Sequence, residues 1–269
     1  MLQFITSKIP ASLIRFIGRL QFKIPALKRI INVVGQRVVA GEGTIQRGIG
    51  KGLRFDATGC NPGYLTGTTE PEEQKLLAEV LENGSVFYDL GANAGFYAVA
   101  GARLTGENGN VYAFEPTPQL ADRIRYNAQM NGFENIEVVE AAVCDENGTI
   151  EFGADGLSIQ NSIQRANQDN AIEVPALTLD EWSTDKPKPD VIMIDIEGAE
   201  IEALRGALTL LREYRPILMV EVHWLGQAFV DFVEDELVPL GYQATRYDGS
   251  PLPTGRSERY HALIRPKQS

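Results

Sequence analysis

The sequence predicts an α/β protein built on a doubly wound, mostly parallel sheet, and three observations carry that prediction. Near-continuous apolar runs of strand length alternate with segments of helical periodicity between residues 85 and 239. A glycine-containing turn, Asp89-Leu90-Gly91-Ala92-Asn93-Ala94-Gly95, joins the first of these runs to the first helix that follows. Carboxylates close several runs at their C-terminal ends. Apolar runs without polar alternation are what a parallel sheet covered on both faces requires. Repeated strand–helix units wind such a sheet through right-handed crossovers.

The elements follow in order. Residues 41–70 are rich in Gly, Thr and Pro and read as irregular chain with a short strand near 52–56. A helix is predicted after Thr69: Pro71 suits its first position, Glu72 and Glu73 its positive end, and Leu76, Leu77, Val80 and Leu81 its buried stripe. Strands are predicted at 85–90, 110–115, 136–143, 190–196 and 217–223, and helices at 94–104, 118–131, 199–213 and 227–239. Strands at 242–247 and 260–264, around a Gly/Pro turn, add an antiparallel finish and complete a seven-stranded Rossmann-like sheet. Asn147-Gly148 lies between two β-like runs and signals a hairpin, so 136–154 is expected to double back. The polar stretch 155–175 reads as a loop over the site.

Composition narrows the partners. Of 25 basic and 36 acidic residues, ten and one fall in residues 1–54, leaving 15 and 35 in the remainder. The acidic main body excludes nucleic acid as the principal partner, because phosphate binding needs a basic footprint. Leu13, Ile14, Phe16, Ile17 and Leu20 form an apolar stripe with Arg15 and Arg19 opposite, a basic amphipathic helix. The expected division is a basic extension at 1–69 and a main domain at 70–269. Residues 8–29 could meet an anionic membrane as a peripheral contact, pack on the main domain, or pair two chains. Cys60 and Cys144 are too few for a disulfide framework, and the N-terminus makes a poor signal peptide, so a cytoplasmic protein is expected.

The turn at 89–95 carries the cofactor reading. Gly91 and Gly95 permit tight turning and close approach of a ligand, and the helix that follows offers N–H groups to an anion. Either a dinucleotide or S-adenosylmethionine would suit those features. Asp89 separates them, because a carboxylate before the first glycine repels a pyrophosphate but holds the ammonium of a methionine moiety. The spacing also lacks a third glycine in the dinucleotide pattern. Glu115, at the end of the second strand and 24 residues after Gly91, takes the position of a ribose-binding acid. Pro116 and Ala142, at the second and third strand ends, flank the place of an adenine. The cofactor-binding set is therefore Asp89, Gly91, Ala92, Asn93, Gly95, Glu115, Pro116 and Ala142.

A second cluster carries the chemistry. Asp195 and Glu197 stand at i and i+2, as do Glu221 and His223, so each pair shares a strand face. If the two strands are neighbours, all four groups gather at the carboxyl ends. Three readings compete: His223 or a carboxylate as general base, a divalent-cation site, and plain hydrogen bonding to loops. The first is favoured, and no metal ligand is assigned.

Four blocks resemble the FkbM family of S-adenosylmethionine-dependent methyltransferases: 86–96, 111–116, Leu177-Thr-Leu-Asp180 and Ile194-Asp-Ile-Glu-Gly-Ala-Glu200. The likeness covers about residues 70–225 and implies methyl transfer to a hydroxyl of a small molecule, glycan or lipid-linked acceptor. By match, Asp89, Gly91, Asn93, Gly95 and Glu115 take cofactor positions, and Asp195 and Glu197 the acidic strand-end positions. Met193 stands where the family usually has lysine, so that lysine's role does not carry over. Asp180 fits a site-facing acid or a cap for Glu181-Trp182. A non-catalytic cofactor-binding module and a NAD(P)-dependent oxidoreductase are the rival functions. Oligomeric state is not legible.

Overall fold

The computed structural model describes residues 41–61, 63–153, 171–255 and 258–267. The amphipathic stripe at 11–20, the basic segment 8–29 and residues 155–170 of the polar stretch lie outside them.

Seven strands form the main sheet: β3 (Val86–Leu90), β4 (Asn110–Phe114), β5 (Ile136–Val139), β9 (Val191–Ile194), β10 (Ile217–Val222), β11 (Tyr242–Arg246) and β12 (Tyr260–Pro266). They lie in the order β11-β12-β10-β9-β3-β4-β5. Strands β3, β4, β5, β9 and β10 pair in parallel, while β12 runs antiparallel to both β10 and β11. From β3 the chain winds outward through β4 to β5, then returns to place β9 on the other side of β3. The winding direction reverses there, between β3 and β9, where a doubly wound sheet opens a crevice at its carboxyl end.

Period-two alternation sends side chains to two cores. Tyr88, Leu90, Phe114, Ile192, Ile194, Val220 and Val222 face one, and Phe87, Val111, Val191, Met193 and Met219 the other. The second core is covered by α2 (Pro71–Val80) and α3 (Phe96–Thr105), with Ile124 from α4 (Pro118–Asn131). It also takes Ile45, Phe55 and Leu65 from the short β1 (Glu42–Thr44), β2 (Arg54–Asp56) and α1 (Gly63–Thr66) region. Asn127, fully buried on α4, fastens this region: its Oδ1 accepts from Asp56 N at 2.7 Å and its Nδ2 donates to the Ala94 carbonyl at 2.8 Å.

Four expectations are corrected. Asn147-Gly148 does not close a hairpin between neighbouring strands: β6 (Ala142–Val143) and β7 (Gly148–Gly153) are separated by β8 (Ala171–Leu177), which pairs with both in a small second sheet. Residues 171–175 therefore belong to a strand and not to a loop. The helix expected at 199–213 is two, α6 (Glu200–Arg205) and α7 (Leu208–Tyr214), separated at Gly206, which packs so closely on the Cys144 carbonyl that an added Cβ would lie 2.0 Å from it. Asp180 is neither a site-facing acid nor the cap of its own helix. Its carboxylate accepts from Thr209 N at 3.0 Å and Leu210 N at 2.8 Å, capping α7, while Thr178 caps α5 (Leu179–Trp182). The last predicted helix is α8 (Gln227–Phe232), which passes into a π turn at Val233–Leu237.

Candidate functional site

A cavity of about 190 Å³ opens at the carboxyl ends of β3, β4 and β9. Asp89, Gly91, Ala92, Asn93, Glu115, Pro116, Ala142, Asp195 and Glu197 line it. Gly95 is not on the wall. It turns the chain into α3 with φ +85°, and an added Cβ would meet Ile124 of α4 at 3.1 Å.

The turn after β3 is held from within. Gly91 and Asn93 have φ of +82° and +51°. At Gly91 the need for glycine is steric as well, since a Cβ would lie 2.0 Å from the Asp195 carbonyl. Gly91 N and Ala92 N both donate to the Phe114 carbonyl, Asn93 N to Glu115 Oε2, Ala94 N to Asn93 Oδ1, and Gly95 N to the Ala92 carbonyl. The N–H groups of residues 91–95 are thus taken up within the protein. What the turn offers a ligand is shape and the carboxylates beside it.

Those carboxylates are poised to take positive charge. Asp89 is 3% exposed, its Oδ2 has no hydrogen-bond partner, and burial followed by the charge of Glu115 pushes its pKa up to about 7. Burial also pushes Glu115 to about 7, against the opposing pull of N–H groups at Thr117 and Asn93. Glu115 Oε1 accepts from Thr117 N at 2.9 Å, so this side chain braces both the turn and the start of α4. Each carboxylate oxygen keeps a further lone pair for a ligand hydroxyl.

The parallel pairing of β9 with β10 sets Ile194 beside Val220 and brings the four chemistry candidates together. His223 Nε2 lies 3.6 Å from Asp195 Oδ1, 3.7 Å from Glu197 Oε2 and 3.9 Å from Glu221 Oε2. Glu197 reaches inward from a left-handed backbone, φ +55°. Asp195 and Glu197 face the cavity, whereas His223 and Glu221 stand behind them. Burial tends to lower the pKa of His223, but the carboxylate of Glu200, joined by those of Glu221 and Glu197, raises it. Burial tends to raise Glu221, but the Arg259 guanidinium, with His261 and His223, holds it below the usual range.

Several site groups escaped the sequence. Glu200, fully buried, approaches His223 Nδ1 to 2.7 Å and accepts from Gly198 N. It stood in the resembling block 194–200 without a role. Arg259 reaches the cavity and binds Glu221 through Nε, with its other arm 3.8 Å from Glu70. Asn61, Tyr64, Glu70 and Tyr97 complete that wall. Met193, in the place of the absent lysine, is buried in the core and touches the cavity.

Comparison with known proteins places this geometry. Residues 89–244 match the methyltransferase FkbM domain. The chain belongs to the FkbM methyltransferase family. The hexuronic acid methyltransferase AglP of Haloferax volcanii is 28% identical over 156 residues, covering 57% of this chain and 62% of that protein, less than two thirds of its length. A protein-L-isoaspartate O-methyltransferase of Methanococcoides burtonii is 33% identical over 79 residues, 29% of this chain and 39% of that one. The FkbM methyltransferase structure from Methylobacillus flagellatus KT gives a TM-score of 0.44 at 17% identity, covering 76% of this chain and 53% of that one. Asn61, Tyr64 and Glu70 precede the FkbM match and Arg259 follows it, so part of the cavity wall is built by segments outside the matched domain. No helix among the described residues is long and apolar enough to cross a membrane.

Proposed function

We propose that this protein transfers the methyl group of S-adenosylmethionine to a hydroxyl oxygen of a glycan-type acceptor, a sugar acid in the first instance. One observation carries the reading: Asp89, Glu115, Asp195 and Glu197 line one cavity at the carboxyl ends of the parallel strands. In this assignment Asp89 receives the methionine ammonium and Glu115 the ribose hydroxyls, with Pro116 and Ala142 flanking the adenine. Asn61, Tyr64, Glu70 and Arg259 shape the acceptor end.

The reaction asks little of the protein beyond alignment and removal of one proton. The acceptor oxygen forms a bond to the methyl carbon as the carbon–sulfur bond breaks, and S-adenosylhomocysteine leaves as a neutral thioether. The hydroxyl proton passes to Asp195 or Glu197, against which His223 is packed. The hexuronic acid methyltransferase relative supports a sugar-acid acceptor.

The test is incubation with S-adenosylmethionine and a panel of uronic-acid and neutral oligosaccharides, followed by mass spectrometry. S-adenosylhomocysteine formed in equal amount with a sugar methyl ether supports the reading. Retained cofactor binding with no product from any hydroxylated acceptor would leave a non-catalytic module, and binding of NAD(P)H in its place an oxidoreductase.

A further inference from the structure

The imidazole of His223 is buried, 4% exposed, and its Nε2 has no hydrogen-bond partner. That atom is aimed at Asp195 and Glu197, whose oxygens stand 3.6 and 3.7 Å away, beyond the 2.7–3.2 Å of a hydrogen bond. The opposite ring nitrogen is engaged at 2.7 Å by the fully buried Glu200. With Nδ1 engaged by Glu200, Nε2 is the ring atom left without a partner, and it faces the two carboxylates. A buried polar atom left without a partner is costly. A cation between Nε2 and the carboxylates removes the cost.

The spacing fits such an ion. One donor atom from each of Asp195, Glu197 and His223 lies within 4.8 Å of the other two. Ligands held at about 2.0–2.2 Å from a common centre lie no more than about 4.4 Å apart, and the oxygens of Asp195 and Glu197 stand 3.6 and 3.7 Å from Nε2. A carboxylate on the far nitrogen of a ligating imidazole is the usual arrangement that fixes its tautomer and raises its basicity. We propose that Asp195, Glu197 and His223 bind one divalent transition-metal ion at the floor of the cavity, with Glu200 as the positioning residue for His223. Two hard oxygens and one imidazole nitrogen suit manganese(II) better than magnesium, which prefers oxygen alone. The remaining coordination positions open toward the cavity, because Asp195 and Glu197 line it. Its use there, lowering the pKa of a coordinated acceptor hydroxyl, rests on the proposed methyl transfer; the binding itself does not.

The experiment is therefore one of binding. Full-length protein, stripped with chelator, is titrated with manganese(II) alone and followed by electron paramagnetic resonance and calorimetry, with no cofactor or acceptor present. The expected result is one ion per chain, with spin-echo modulation from a directly coordinated nitrogen. Glu197→Gln and His223→Gln should each weaken binding at least tenfold, and the second should abolish the nitrogen signal. Glu200→Gln should weaken binding roughly 10- to 100-fold while the nitrogen signal persists. Circular dichroism and thermal melts establish that each variant is folded, and the wild-type nitrogen signal does not depend on any variant. Absence of binding at millimolar manganese, or binding without the nitrogen signal, would overturn the proposal while leaving methyl transfer untouched.

Discussion

Replacing Asp89 by Asn separates what this side chain contributes to the fold from what it contributes to the ligand. The Asp89 carboxyl is pushed from 3.8 to about 7 in the folded protein, by burial first and by Glu115 second. An acid with a raised folded pKa binds its proton more tightly when folded. Stability is therefore fully present below about pH 4 and is lost as pH rises through about 7. Roughly three pKa units correspond to a destabilisation on the order of 4 kcal/mol above pH 7. Asparagine removes that charge, but it places an amide where Oδ2 now has no partner, at a cost of about 1–3 kcal/mol. The net expectation is a ligand-free variant more stable than wild type by about 1–3 kcal/mol at pH 8, with the advantage shrinking toward zero by pH 5. In a chain of this length that is a melting-temperature gain of a few degrees at pH 8. The same variant should lose at least tenfold in affinity for S-adenosylmethionine, since the ammonium loses its counter-charge. Thermal melts from pH 5 to 8, paired with calorimetric titration, make the comparison. A melting difference independent of pH would refute the electrostatic account, and unchanged affinity would refute the ligand role.

Other perturbations follow from the same geometry. Glu115→Gln keeps an acceptor for Asn93 N or Thr117 N but removes the charge, and titration should show cofactor affinity at least tenfold weaker in a folded protein. Asn127→Ala leaves the Asp56 N–H and the Ala94 carbonyl without their partner; denaturant unfolding should show a loss of about 2–4 kcal/mol. Gly206→Ala forces a Cβ to within 2.0 Å of the Cys144 carbonyl, so melting temperature should fall while cofactor affinity holds.

The main sheet was legible because its strands are buried on both faces and so read as unbroken apolar runs. Helix α4 was legible to the residue: Pro118 opens it and Gly132, at φ +69°, closes it. What failed was set by distant partners. Asn147-Gly148 has the local chemistry of a hairpin turn, yet a strand beginning at residue 171 takes the place between β6 and β7. The break at Gly206 is marked by packing on Cys144 and by a cap from Asp180, neither visible in the helix's own periodicity. At the site, Asp195 and Glu197 lie past the end of β9, and a left-handed turn at Glu197, not a shared strand face, brings its carboxylate to the group that the β9–β10 pairing joins. Arg259 and Glu70 are single residues on separate segments, and only the fold brings them to Glu221 and to each other. Glu200 lay inside a block already singled out, but its contact with His223 crosses from α6 to the end of β10.

The central claim is that the turn after β3, with Asp89 and Glu115, holds S-adenosylmethionine. Calorimetric titration of the wild type and of the Asp89→Asn, Glu115→Gln double variant, with S-adenosylmethionine and separately with NADH, tests it most directly. The account predicts selective binding of the methyl donor by the wild type, no binding of NADH, and loss of binding in the folded double variant. Equal affinity of both proteins for S-adenosylmethionine, or preference of the wild type for NADH, would contradict it.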